Sequence, residues 1–163
     1  MTTTGETMPE EPQTPTAHRI SERIGPGSVS VVRTGPRTYE GLNERGTTVR
    51  IGPADVDGCF TPGELLKLAL IGCAGMSADR VAARRLGDDF AMTVWAHGRS
   101  DRDENRYRRV DEELLVDLSE LEPDERATLI DLMGKAIRRG CTVARSVEGA
   151  IELDMLIDGI EVV

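Results

Sequence analysis

The chain has 163 residues, enough for one folded domain with its own core. Hydrophobic residues make up 39% and charged residues 30%, while aromatics at 3% leave the core to Leu, Ile, Val, Ala and Met. A net charge of −9 argues against nucleic acid and against an anionic membrane surface as partners, since both need a basic face.

Three cysteines form an odd, sparse set, unlike a secreted disulfide framework. The opening Met1-Thr-Thr-Thr-Gly-Glu-Thr-Met-Pro has neither a basic start nor an apolar stretch, so it does not read as a signal peptide. The longest apolar run, Leu65 to Met76, contains Lys67 and is too short to span a bilayer. A reducing, cytoplasmic location is the expectation.

Residues 1–25 are rich in Thr, Pro and Glu without periodicity and are expected to form a disordered tail, leaving 26–163 as a single domain. Ser28 to Arg33 alternates as a strand, and Gly35-Pro36 breaks it. Tyr39 to Leu42 is weakly strand-like, Asn43 to Gly46 is a turn, and Thr47 to Ile51 is the return strand of a hairpin or meander. Ala54 to Thr61 is a loop holding Cys59. Thr61-Pro62-Gly63-Glu64 opens a helix with a cap, a first-turn proline and a capping-box glutamate, running to about Arg85. From Leu65 to Met76 this helix is apolar on nearly every face, which predicts burial all round, at the centre of a domain or of a dimer.

Phe90 to His97 reads as a strand, and Gly98 to Arg106 as an exposed charged turn in which Asp101, Asp103 and Glu104 interleave with arginines. Tyr107 to Leu118 is a further strand with Val110, Leu114 and Val116 as core candidates. A second helix begins at Glu122-Pro123 and stops at Arg138-Arg139-Gly140. A short turn or helix over Thr142 to Val147 leads to a last strand, Ala150 to Ile157. The order is β-β-α-β-β-α-β, an α+β pattern with antiparallel strands.

Two cysteines stand at the ends of legible signals: Cys73 inside the apolar helix and Cys141 directly after a helix stop. A buried thiol beside a second thiol can handle a peroxide or a disulfide. Equally, free cysteines are often only packing residues. Cys59 reads as a passive loop residue or an alternative resolving thiol. His18 and His97 lack Cys, Asp or Glu neighbours at ligand spacing, so no metal is expected. Without a phosphate loop or nucleophile elbow, no nucleotide, flavin or other cofactor is expected.

In three places the chain resembles the family of osmotically inducible protein C and the organic hydroperoxide resistance proteins (OsmC/Ohr). Thr61-Pro62-Gly63-Glu64-Leu65-Leu66 through Gly72-Cys73 is similar to the family's entry to a central helix carrying a peroxidatic cysteine. Gly140-Cys141-Thr142 with Gly149 to Leu153 resembles its second cysteine and closing strand, and the element order agrees. The resemblance implies an OsmC-like α+β fold, with antiparallel sheets on a long buried central helix in an intertwined homodimer. It also implies a thiol-dependent peroxidase reducing organic or lipid hydroperoxides in oxidative-stress defence. Cys73 would be the nucleophile, Cys141 the resolving thiol, Arg37 the thiolate stabiliser and Glu64 a support for Arg37. A dithiol reductant of lipoyl or thioredoxin type would restore both thiols, and Leu66, Leu70 and Met76 would line an apolar pocket. One departure stands out. The family's hydroperoxide reductases carry Glu directly after the proline; here that position is Gly63. Glu64 follows one later, about 100° around the helix, where a capping role fits as well as a catalytic one. The same fold could also bind an apolar small molecule without turnover, or act as a slow redox sensor.

Overall fold

The computed structural model of the protein describes residues 21–162, as two compact units that divide after Cys59. The first twenty residues of the expected tail, His18 among them, lie outside the described residues.

The first unit is a three-stranded antiparallel sheet in the order β1 (Val29–Gly35), β2 (Thr38–Asn43), β3 (Thr48–Ile51). The β-branched residues of β1 and β3 favour extended backbone. Gly35-Pro36-Arg37 turns the chain, and Arg37 takes a left-handed φ of 57°. The second turn is held by Asn43, whose side-chain oxygen accepts from the backbone N–H of Arg45 and of Thr47. Cys59 packs against Gly52, where an added Cβ would stand 3.1 Å from its sulfur.

The second unit is built on α1 (Pro62–Leu86). Thr61 and Glu64 cap it reciprocally, Pro62 takes the first position, and Arg84 and Arg85 occupy the last turn. Leu70, Ala74, Ala78 and Ala82 recur every fourth residue and form its buried stripe. Three of these four are alanines, which let neighbouring elements approach closely. The helix is central, as expected. In the single chain its opposite stripe is open, with Leu68 at 42% and Met76 at 82% exposure.

After α1 come β4 (Met92–His97), a small hairpin of β5 (Ser100–Asp101) and β6 (Arg106–Tyr107), and β7 (Arg109–Val116). The hairpin occupies the stretch expected as a charged turn, and ion pairs from Arg108 to Asp101 and Glu104 tie it together. Two helices follow, α2 (Pro123–Gly140) and α3 (Thr142–Val147), then β8 (Glu152–Ile157) and a short β9 (Ile160–Glu161). The main sheet has the order β4-β7-β8-β9. β4 pairs antiparallel with β7, but β7 and β8 run parallel, unlike the all-antiparallel reading. Between those two strands lie both helices, the kind of long crossover that parallel pairing requires. The core joins the alanine stripe of α1 to Leu114 and Val116 of β7, Ile130, Met133 and Ile137 of α2, and Ile157 of β8.

Candidate active site

Cys73 lies midway along α1, and Cys141 lies in the joint between α2 and α3. The basic last turn and Gly140 end α2, and Cys141 then serves both helices. Its backbone N–H donates to the carbonyl of Ile137 at 2.8 Å, closing α2. Its sulfur accepts from the backbone N–H of Ala144 at 3.4 Å, opening α3. Gly140 brings this joint close to α1: a Cβ there would meet the Ser77 hydroxyl at 3.2 Å. Ser77 in turn donates to the carbonyl of Cys73 at 2.8 Å.

The two thiols are neighbours. The Cys73 sulfur is 3.9 Å from the hydroxyl of Thr142, the residue next to Cys141, and each thiol influences the ionisation of the other. Their ionisation differs in direction. Partial burial pushes the Cys73 thiol up, but hydrogen bonds from the Val143 backbone, from Cys141 and from the side chain and backbone of Thr142 outweigh it. The net direction is below the ordinary value, and every lowering contribution is a hydrogen bond. Burial pushes Cys141 up to about 11, against a lowering by the Ala144 N–H, while Cys73 and Glu112 repel its thiolate form. Cys73 is therefore the stronger thiolate former and Cys141 the proton holder. Cys73 is half-buried and reaches an open depression of about 540 Å³ shaped by Leu68, Ala69, Gly72, Met76 and Gly140. Met76 is where the sequence placed it, but Leu70 is wholly buried in the core and Leu66 lies outside this depression.

Glu64 is engaged as a cap. Its carboxylate accepts from the backbone N–H of Thr61 at 2.7 Å and from the Thr61 hydroxyl at 3.0 Å, and the first of these holds its pKa down. Gly63 has a neighbour that explains it: a Cβ at this position would fall 2.1 Å from the Tyr107 hydroxyl. That ring also carries the Lys67 ammonium 5.7 Å from its centre. Arg37 sits in an exposed turn of the first unit, and Cys59 belongs to that unit as well.

One residue escaped the sequence reading. Glu112 on β7 is 1% exposed, and neither carboxyl oxygen has a hydrogen-bond partner among the described residues. Burial pushes its pKa up to about 7. The signal was available: Glu112 shares the two-residue period of Val110, Leu114 and Val116, all of which face inward.

A sequence model of the family described as OsmC-like protein matches residues 54–155. An uncharacterized protein of Mycobacterium tuberculosis is 45% identical over 125 residues, covering 77% of this chain and 91% of its own length. The chain belongs to the OsmC-like family. Two solved structures share the OsmC-like fold. An OsmC-like protein of unknown function from Vibrio cholerae aligns with a TM-score of 0.60 at 17% identity, covering 80% of this chain and 97% of that one. The organic hydroperoxide resistance protein OhrB of Bacillus subtilis aligns with a TM-score of 0.54 at 14% identity, covering 80% and 96%.

Proposed function

We propose that the protein is a thiol-dependent hydroperoxide reductase. The observation that carries this reading is the placing of Cys73 beside the Cys141–Thr142 joint and facing an open depression, with the two neighbouring thiols tending in opposite directions of ionisation. The Cys73 thiolate attacks the distal oxygen of a hydroperoxide, the O–O bond breaks, and the alcohol leaves with a proton from solvent. The sulfenic acid on Cys73 condenses with the Cys141 thiol to a disulfide and water. A dithiol of lipoyl or thioredoxin type then reduces the disulfide by exchange. The apolar lip of Leu68 and Met76 favours an organic or lipid hydroperoxide over hydrogen peroxide.

In this reading residues 26–163 act as one domain, in a homodimer whose sites draw on both chains. The open stripe of α1, Leu68 and Met76, is the surface that supports it. Arg37 stabilises the Cys73 thiolate and Glu64 supports Arg37. The need for a dithiol reductant suits a cytoplasmic location. A second reading, an OsmC-like dimer that binds an apolar small molecule without turnover, is favoured by one observation. Tyr107 fills the space beside Gly63, where the family's reductases carry a carboxylate.

Hydroperoxide consumption separates the two. Cumene hydroperoxide and hydrogen peroxide are supplied to wild type, Cys73→Ser and Cys141→Ser, with dithiothreitol or dihydrolipoamide as reductant. The reductase reading expects turnover that Cys73→Ser abolishes and a sulfenic acid that can be trapped in Cys141→Ser. Equal, negligible rates in all three proteins would leave the binding reading.

A further inference from the structure

The buried carboxyl of Glu112 takes no part in the cycle above. It stands on β7 between Ala96 of β4 and Met155 of β8, with both oxygens unpartnered among the described residues. A cavity of about 300 Å³ opens against it, and Cys141 lines the same cavity together with the apolar side chains of Ile137, Ile151 and Leu153. Leaving a carboxyl unpaired in the core is costly, and such groups are kept where they do something. The space is large enough for several waters, and it joins the carboxyl to a thiol that must lose a proton before it can attack.

We propose that Glu112 accepts the proton of Cys141 as this thiol attacks the oxidised Cys73, through water in the cavity that Glu112 and Cys141 share. The assignment rests on the Cys73–Cys141 disulfide chemistry proposed above. In that step the S–S bond forms and the S–O bond of the Cys73 sulfenic acid breaks. The hydroperoxide has already supplied the oxidation, so no further oxidant is needed. The departing hydroxide takes a proton from solvent to become water. The Cys141 proton passes to the Glu112 carboxylate, which later releases it to solvent through the cavity mouth. The need for such a group follows from Cys141, pushed up to about 11 by burial. At neutral pH about one molecule in 10⁴ carries its thiolate. Glu112, pushed up to about 7 by burial, is matched to working pH as a proton acceptor. The groups around it are Ala96 from β4, Met155 from β8, Arg138 from α2, Arg145 from α3, Glu148 at the end of α3, and Cys141 from the joint. From α1 comes Cys73, which lies against Thr142 beside Cys141.

The test bypasses peroxide. In a Cys59→Ser chain, Cys73 is converted to a mixed disulfide with dithiobis(nitrobenzoate), releasing one thionitrobenzoate. Attack by Cys141 then expels a second, and the rate of that second release is followed against pH. In wild type the second release should accelerate as pH rises through about 7. In Glu112→Gln and in Glu112→Leu it should be slower at pH 8 by about tenfold or more, and rise only as Cys141 itself ionises at higher pH. The first release, from Cys73, should be unchanged in both, and near-ultraviolet circular dichroism should match wild type. A wild-type rate and pH profile for the second release in either variant overturns the proposal. So does equal slowing of both releases, or no second release from wild type. If wild type releases both equivalents but consumes no cumene hydroperoxide, the reductase reading fails while the role of Glu112 stands.

Discussion

Gly63 and Tyr107 are a matched pair, and the match is steric. In an unobstructed helix Gly63→Ala would gain roughly 1 kcal/mol from backbone entropy. Here the new Cβ would lie 2.1 Å from the Tyr107 hydroxyl, far inside contact distance, so the ring must shift. Overpacking of this kind costs about 1–3 kcal/mol, so the net change should be destabilising. Tyr107→Phe in the same chain should recover part of it; chemical denaturation of the three proteins checks both. Cys73 and Cys141 make a second prediction at this scale. Alkylation by iodoacetamide against pH should show Cys73 reacting with a midpoint below the ordinary thiol value of 9.0, and Cys141 only near 11. Thr142→Val removes one of the hydrogen bonds holding Cys73 down and should move its midpoint upward. Glu112 makes a third. Its folded-state pKa of about 7 lies above the ordinary 4.5. Its protonated form is therefore tolerated below about pH 4.5, and stability is lost as pH rises through 7. Glu112→Gln should abolish that loss, gaining up to roughly 3 kcal/mol at pH 8 and nothing at pH 4, as read from melting at the two pH values.

At the scale of elements, the joint between α2 and α3 decides whether the thiols meet. Gly140 keeps the joint against Ser77 of α1. Gly140→Val should push it away at a cost of about 1–3 kcal/mol and slow disulfide formation, while Cys73 alone still reacts with oxidant. Mass spectrometry of the oxidised protein would distinguish a persistent sulfenic acid from the disulfide. Much of this was legible beforehand. Thr61-Pro62-Gly63-Glu64 announced α1 because its capping is local, and Arg138-Arg139-Gly140 announced the end of α2 for the same reason. The direction of β8 was not legible from its residues, since alternation is the same in parallel and antiparallel strands; only the intervening helices imply a crossover. Glu112 was overlooked because residue type was allowed to outweigh period. The capping of Glu64 was visible in its spacing, whereas the reason for Gly63 depends on Tyr107, more than forty residues away, and no local pattern contains it.

At the scale of the whole molecule, the open stripe of α1 is the feature that a single chain leaves unexplained. Exposed Leu68 and Met76 on one side of a helix are costly in water. If a second copy covers them, Met76→Asp should convert a dimer to monomer in sedimentation, and turnover should fall with it under the proposal that each site draws on both chains. The parallel pairing of β7 with β8 has a consequence of another kind, for the order in which the protein is made. β7 gains β4 as a neighbour from chain already synthesised, but its other edge stays bare until α2, α3 and β8 have emerged from the ribosome. Both cysteines are therefore translated before the sheet beneath them can close. A nascent chain stalled at Gly149 should be cut readily by protease across β7, and one extended past Ile157 with a linker through the exit tunnel should resist.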